Sequence, residues 1–288
     1  MFREISPPRG TVGSVSDREQ SDFSTGWWTC VDVIPGPPAR CVRKRNALQR
    51  LLSSGHMCGR YVSPEQAAIE REWHIGRRSP NPFGQRYNVA PTQEVPIIRR
   101  AAGADELELV AARWGLIPHW WQQAKPPAFS TINARSEEAA GKPFWREPYR
   151  QARCLFPAVG WYEWQEGELV KGKRQKLPFY LCLASGSLAG IAGLMSEWTR
   201  PDTGEVILTC AILTRAPSPS AAVVHDRMPV IIEKSAQSEW LDPALKDAGR
   251  VAAIIRDHAL GEVLQHRVAP VVNRASAQGP ELIEPIPG

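Results

Sequence analysis

Arg153-Cys154-Leu155-Phe156-Pro157-Ala158-Val159-Gly160-Trp161-Tyr162-Glu163-Trp164 is an apolar and aromatic run of strand character. Similar runs follow it at short spacing: Phe179–Ala184, Leu188–Leu194 and Val206–Thr214. The sequence Arg200-Pro201-Asp202-Thr203-Gly204 supplies a turn before the last of them. Upstream, Val95–Arg99 and Leu107–Trp114 flank a turn containing Gly103 and Asp105, which predicts a hairpin. Met228–Ile232 adds a further short strand. Helical signals are fewer. Ser63-Pro64-Glu65-Gln66 predicts a helix start, with Ser63 as N-cap, Pro64 at the first helical position and Gln66 completing a capping box. Gly76 would stop that helix, and Ala236–Leu241 and Leu245–His258 read as two more. Many strands with few intervening helices predict an α+β fold, a mixed and largely antiparallel β domain with flanking helices, and not a doubly wound sheet.

The 288 residues are 43% hydrophobic and 23% charged, within the range of globular proteins. No stretch approaches the roughly 18 apolar residues of a helical membrane span. The net charge of +5 is unevenly placed. Residues 1–56 hold eight of the 35 basic and five of the 30 acidic residues, leaving 27 and 25 for residues 57–288. Bulk charge therefore gives little support for nucleic-acid binding, which must rest on local placement. None of the six cysteines forms a Cys-x-x-Cys pair, so neither a zinc site nor any other metal or cofactor is expected. Cys154, Cys182 and Cys210 lie in strand-like runs and read as reduced core residues. Without an apolar secretory segment, the cytoplasm is the expected location.

Residues 1–56 are rich in Ser, Pro, Gly and Arg and show no sustained period beyond a short basic stretch, Arg43–Leu52. They are expected to bury too little surface to fold. The character changes at Met57-Cys58-Gly59-Arg60-Tyr61. A cysteine after a methionine and before a glycine would become N-terminal if Met57 were the initiator, presenting an amine and a thiol on adjacent carbons. Such an amine titrates near 7.7–8.0 and condenses with aldehydes. The thiol can then add to the imine carbon and close a five-membered thiazolidine, with the advantage of an intramolecular step.

Four further segments carry polar groups that the local pattern does not need. Arg86-Tyr87-Asn88-Val89-Ala90-Pro91-Thr92-Gln93 reads as a loop leading to the strand at Val95. Trp120 and Trp121 follow Pro118, and Ile132-Asn133-Ala134-Arg135 lies shortly beyond them. Exposed aromatics with Arg135 would suit base stacking and a phosphate clamp, and Asn133 could orient a small polar group. Glu163 lies among aromatics in a strand, where an unpaired carboxyl should have a raised pKa and could act as a general acid or base. His225, Asp226 and Arg227 form a dense polar corner before the strand at Met228.

Taken together, Met-Cys-Gly-Arg, Tyr-Asn-Val-Ala-Pro-Thr, Trp-Gly-Leu-Ile-Pro, Asn-Ala-Arg-Ser-Glu, Gly-Trp-Tyr-Glu-Trp and His-Asp-Arg-Met-Pro resemble the SRAP family, the SOS response-associated peptidases or abasic-site processing proteins. The resemblance covers essentially all of residues 57–288, taken as one domain. It implies a mixed β fold with a groove for single-stranded DNA, and a covalent thiazolidine between Cys58 and the aldehyde of an abasic site. By position, Asn133 would orient the sugar, and Glu163 and His225 would manage protons. Arg60, Asn88, Arg135 and Arg227 would contact DNA, and Trp120 and Trp121 would form an aromatic wedge. The partner implied is single-stranded DNA containing abasic sites, and no membrane is involved.

The 56 residues before Met57 depart from that pattern, because an acylated Cys58 nitrogen cannot form an imine. A start at Met57 is the expectation, with proteolytic removal of the extension, including self-removal, as the other route. Two other classes compete: a cysteine peptidase or amidase using Cys58, His225 and Glu163 as nucleophile, base and orienter, and a non-covalent single-strand DNA-binding module.

Overall fold

A computed structural model describes residues 58–76 and 83–287 of the chain. The expected extension, residues 1–56, lies outside the described residues.

Strand β1 (Arg60–Ser63) leads into helix α1 (Gln66–Trp73). Strands β2 (Arg86–Val89), β3 (Glu94–Arg100) and β4 (Leu107–Trp114) follow. Next come β5 (Asn133–Arg135), α2 (Ser136–Ala139) and α3 (Pro143–Gln151). Four consecutive strands follow: β6 (Arg153–Ala158) and the longer β7 (Gly160–Val170), β8 (Lys173–Leu183) and β9 (Ala189–Thr199). After β10 (Val206–Arg215) the elements are short: α4 (Pro219–Ala222), β11 (Met228–Pro229), β12 (Ile231–Ile232) and α5 (Lys234–Trp240). Helix α6 (Ala248–His258), β13 (Ala259–Leu260) and β14 (Val263–Arg267) complete the order, with 3-10 turns at Pro270–Asn273 and Pro280–Ile283.

Five strands pair in the order β14-β8-β7-β1-β2 and nine in a second sheet built on β11-β10-β4-β3-β6-β9-β12-β13. Because β10 pairs with β9 as well as β4, strands β9, β10, β4, β3 and β6 close into a ring. Closure leaves these strands no free edge. Most pairs are antiparallel, but β10 runs parallel to β4 and to β5, so the fold is mixed α+β as expected. The hairpin β3–β4 forms in full register from Glu94↔Arg113 to Arg100↔Leu107, around Gly103 at φ 72°.

The two sheets meet in one apolar cluster. Tyr61 of β1 packs edge-on against Trp114 of β4 and Phe156 of β6, with ring centroids 5.6 and 6.3 Å away. Cys58 belongs to this cluster and is 2% exposed. A second cluster seats the helices on the ring through Ile69, Trp73, Trp145, Trp240 and Ile254. Gly160 opens β7 where any Cβ would run into the Leu181 carbonyl and the Tyr180 ring, so only glycine lets β7 lie so close to β8.

Several local expectations need correction. Ser63 is the last residue of β1, paired with Arg86 of β2, and not a helix N-cap; α1 begins at Gln66, with Glu65 as its cap residue. The helix ends at His74, which takes the left-handed cap conformation (φ 54°) two residues before Gly76. Met228–Ile232 is broken into two strands that pair with different partners, β10 and β9. Helix α6 starts at Ala248, where the Asp247 side chain accepts from the Arg250 amide at 2.6 Å. Cys182 is only partly buried, although Cys154 and Cys210 are core.

Arg153 illustrates how the helices are held. It is 3% exposed, and its guanidinium donates to the carbonyls of Tyr149, Arg150, Trp240, Asp242 and Leu245. It therefore satisfies the last carbonyls of both α3 and α5, which have no partner inside their own helices. Burial lowers its pKa to about 10, so it stays charged at neutral pH. Arg153→Met removes all five bonds and should lower stability by about 3 kcal/mol or more, read from the midpoint of urea unfolding. A change below about 0.5 kcal/mol would contradict this role.

Candidate active site

Strands β1, β5 and β7 and the turn after α4 bring four of the expected residues to one place. Antiparallel pairing of β1 with β7, Arg60↔Tyr162 and Tyr61↔Trp161, sets Cys58 across from the segment that carries Glu163. The Glu163 carboxylate oxygen Oε1 accepts from the Cys58 thiol at 2.5 Å and from the Cys58 nitrogen at 3.1 Å. Its other oxygen, Oε2, is buried and has no hydrogen-bond partner among the described residues. The Asn133 side-chain amide donates to the Cys58 carbonyl at 3.4 Å. Asn133 is held there by parallel pairing of β5 with β10 (Ile212↔Asn133). Cys58 itself has φ 32°, a left-handed conformation that costs energy for a residue with a side chain.

Burial dominates the electrostatics. Desolvation pushes the Glu163 carboxyl up to about 8, an effect only partly opposed by its hydrogen bonds from Cys58 and reinforced by Asp226. Desolvation also pushes the Cys58 thiol well above its ordinary value, and the nearby Glu163 adds to this. The pair therefore rests as a neutral thiol beside a carboxyl that gains and loses its proton near neutral pH. His225 is lowered by burial, against the pull of Asp226. Its Nδ1 stands 3.1 Å from both the Arg227 amide and an Asp226 carboxylate oxygen.

A cleft of about 450 Å³ opens beside this group. Gly59, next to Cys58, forms part of its wall, together with Arg60, Pro91, Trp164, Lys176, His225 and Asn273. Arg60 stands 6.0 Å over the Trp164 ring and donates to the Asn88 side chain and the Val272 carbonyl, both at 3.0 Å. Trp164 in turn donates to the Asn273 side chain at 2.7 Å.

The remaining expected residues are placed differently. Asn88 is fully buried, and its amide donates to the carbonyls of Val272 and Arg274, so it stands behind Arg60 and does not face the cleft. Arg227 grips Glu137 through two 2.8 Å bonds and the Thr214 carbonyl through a third. Arg135 is half-exposed, with Glu138 at 3.8 Å. Trp120 is 44% exposed and lines another cleft with His119, Glu147 and Arg99, away from the Cys58 wall. Trp121 is tied to the Lys125 carbonyl and accepts from Trp198.

Sequence reasoning did not single out Trp164, Lys176 or Asn273 as site residues. Trp164 was visible as part of the aromatic run, but the 3-10 turn at Pro270–Asn273 reaches the site only through long-range packing. Among the described residues, no three His, Cys, Asp or Glu side chains converge as a metal site would need.

The model of the family described as SOS response associated peptidase (SRAP) matches residues 57–275. The chain belongs to the SRAP family. Abasic site processing protein YoqW of Bacillus subtilis is 33% identical over 230 residues, which cover 79% of this chain and 99% of that protein. Abasic site processing protein YedK of Escherichia coli is 32% identical over 243 residues, covering 80% and 100%. Abasic site processing protein HMCES of Xenopus tropicalis is 28% identical over 273 residues, covering 80% and 78%. A crystal structure of a Bacteroides thetaiotaomicron protein superposes with a TM-score of 0.68 at 22% identity, covering 80% of this chain and 99% of that one. No helix among the described residues is long and apolar enough to cross a membrane.

Proposed function

We propose that this SRAP chain captures abasic sites in single-stranded DNA as a covalent thiazolidine on Cys58, in the form of the protein whose Cys58 nitrogen is a free amine. The observation that carries this is the single carboxyl oxygen of Glu163 in contact with both the nitrogen and the sulfur of Cys58. The relatives named as abasic site processing proteins support the substrate class.

The chemistry balances with these groups alone. The neutral amine adds to the aldehyde carbon of the ring-opened sugar, giving a carbinolamine. Protonated Glu163 gives its proton to the departing hydroxyl, which leaves as water, and an iminium remains. The thiol then attacks the iminium carbon and yields its proton to the Glu163 carboxylate. The product is a neutral thiazolidine with Glu163 protonated again, and one water has been lost. Asn133 would hold the sugar near Cys58, and neutral His225 would hold or relay a proton. Arg60, steadied from behind by Asn88, and half-exposed Arg135 would bind phosphates. Arg227, already committed to Glu137, would chiefly fix the His225 corner. Trp120 and Trp121 would offer stacking surface to flanking bases.

The left-handed backbone at Cys58 also supports a free N-terminus, since the φ angle ceases to be constrained once the preceding peptide bond is cut. The rival cysteine-peptidase reading requires a thiol–imidazole pair, whereas the thiol here bonds Glu163. Denaturing electrophoresis after mixing Cys58-initiated protein with abasic single-stranded DNA tests the proposal. A heat-stable shifted band is expected, absent on undamaged DNA and lost in Cys58→Ala. An undiminished band from Cys58→Ala would rule the mechanism out.

A further inference from the structure

Strands β7 and β8 pair well beyond the sheet that holds the site. Their outer halves, from Glu166 to Lys176, form a two-stranded arm paired to its tip at Val170↔Lys173. Lys171 (φ 51°) and Gly172 (φ 75°) close it as a two-residue turn, the geometry that matches the twist of paired strands. All but one of the arm's residues are exposed, so the arm contributes little to the core that stabilises the rest of the fold.

The arm is also the cleft's continuation. Trp164↔Pro178 and Glu166↔Lys176 lie on one face by register, and Arg174 shares that face by alternation along β8. Trp164 and Lys176 both line the cleft. A polyanion leaving the cleft past Trp164 and Lys176 would therefore meet Arg174 on the same face, and then Lys171 and Lys173 where it rounds the tip of the arm, Lys173 projecting from the opposite face. From Lys176 to Lys173 is about 10 Å at about 3.3 Å per residue.

The charge is suited to this. The arm carries Lys171, Lys173, Arg174 and Lys176 against Glu166 and Glu168. Glu166 is shared loosely between Arg174 at 3.5 Å and Lys176 at 3.7 Å, with all three side chains more than half exposed. Such solvated pairs are worth little and exchange readily for phosphate. Lys171 and Lys173 make no ion pair among the described residues.

We infer that the β7–β8 arm is a second nucleic-acid contact, which grips the phosphates of the strand flanking the nucleotide held in the cleft. The inference rests on the cleft's being a site for abasic DNA, and it adds a reach that the cleft alone does not have. It makes affinity depend on strand length and on salt, while leaving the chemistry at Cys58 untouched.

The test uses Cys58-initiated protein and a triple variant, Lys171→Gln, Lys173→Gln and Arg174→Gln, all at exposed positions. Affinity is read by fluorescence anisotropy for a short abasic strand that only fills the cleft and for strands extended on the 5′ or the 3′ side. The extended strand that follows the arm should bind the parent with a salt slope steeper by about 2, at about 0.7 per phosphate neutralised. Its advantage should then shrink about 15-fold between about 50 and about 200 mM salt. The triple variant should lose that extra slope, Lys171→Arg with Lys173→Arg should keep it, and short-strand adduct formation should be equal in all three. Equal slopes for parent and triple variant on both extended strands would overturn the inference and leave the arm for a different acidic partner. An equal loss on short and extended strands would also overturn it, since the arm would then act on the cleft itself. Failure of the parent to form the short-strand adduct would instead remove the function proposed for the cleft, and the arm with it.

Discussion

A version of the chain in which any residue still acylates the Cys58 nitrogen is expected to form no stable adduct with abasic single-stranded DNA, whereas protein beginning at Cys58 forms it. The reason lies in one atom. In a peptide bond the nitrogen lone pair is delocalised into the carbonyl, so it cannot add to an aldehyde. A free amine, with an ordinary pKa of 7.7–8.0, is neutral in an appreciable fraction at pH 7. Without the amine the thiol alone gives only a reversible hemithioacetal, which denaturation would discard. The effect is thus all or none and exceeds that of any side-chain change away from Cys58. The N-terminal mass of each preparation is measured before mixing, and adduct is then scored against the fraction of chains that begin at Cys58. Adduct in proportion to that fraction is the expected result; efficient adduct from chains whose mass shows residues before Cys58 would refute it.

Glu163→Gln should slow adduct formation by about 10²–10⁴, the usual contribution of a positioned acid or base, with little loss of DNA affinity. The substitution keeps the shape of the side chain and its contact with Cys58 but removes the titrating proton. The parent rate should rise with pH as the Cys58 amine is deprotonated. It should fall again as the Glu163 carboxyl ionises near its raised value of about 8. The variant should keep the rise and lose the fall. Stability should move the opposite way. Glu163 has a folded pKa above its ordinary 4.5, so below that value it is protonated in both states and costs nothing. As pH climbs from 4.5 to about 8 the unfolded chain releases the proton and the folded one retains it, so the parent progressively loses stability. Glu163→Gln escapes this loss and should become the more stable protein over that window, as expected where a carboxyl is buried for function. Thermal midpoints measured at several pH values check the trend. A variant that reacts at the parent rate across pH 6–8 would exclude acid–base work by Glu163.

Which parts of this were legible in the sequence follows from the range of the interactions involved. The β3–β4 hairpin is a local structure, with its turn residues between two periodic runs, and it forms where the pattern places it. The burial of Glu163 follows from the unbroken apolar and aromatic run it ends: Gly160, Trp161, Tyr162 and Glu163 are all buried, as in a strand covered on both faces. Ring closure through the β3–β6 and β6–β9 pairings, and the parallel seam of β10 with β4, depend on contacts far apart in the chain that no local period encodes. Helix α3 has no clear local signal, since two prolines, Pro143 and Pro148, fall within its nine residues. Pro143 sits at the helix start, where its missing N–H is no loss, and Pro148 is buried with Trp145 and Tyr149. Asn88 shows the same limit at the site. The family resemblance implied that it contacts DNA, but whether a side chain faces solvent or the carbonyls of Val272 and Arg274 is decided by the C-terminal segment folding over it.

Thiazolidine formation bonds one carbon of the abasic sugar to both the nitrogen and the sulfur of Cys58, so the decisive quantity is the chemical state of that residue in the isolated adduct. Adduct formed by Cys58-initiated protein is denatured, treated with borohydride and then with iodoacetamide, and digested with trypsin. The fragment Cys58-Gly59-Arg60 is then weighed with its attached nucleotide. A thiazolidine predicts a mass equal to fragment plus nucleotide less one water, with no hydrogen added by borohydride and no alkylation of the sulfur. A fragment that gains two hydrogens and one alkyl group would show an imine with a free thiol, and would contradict ring closure on Cys58.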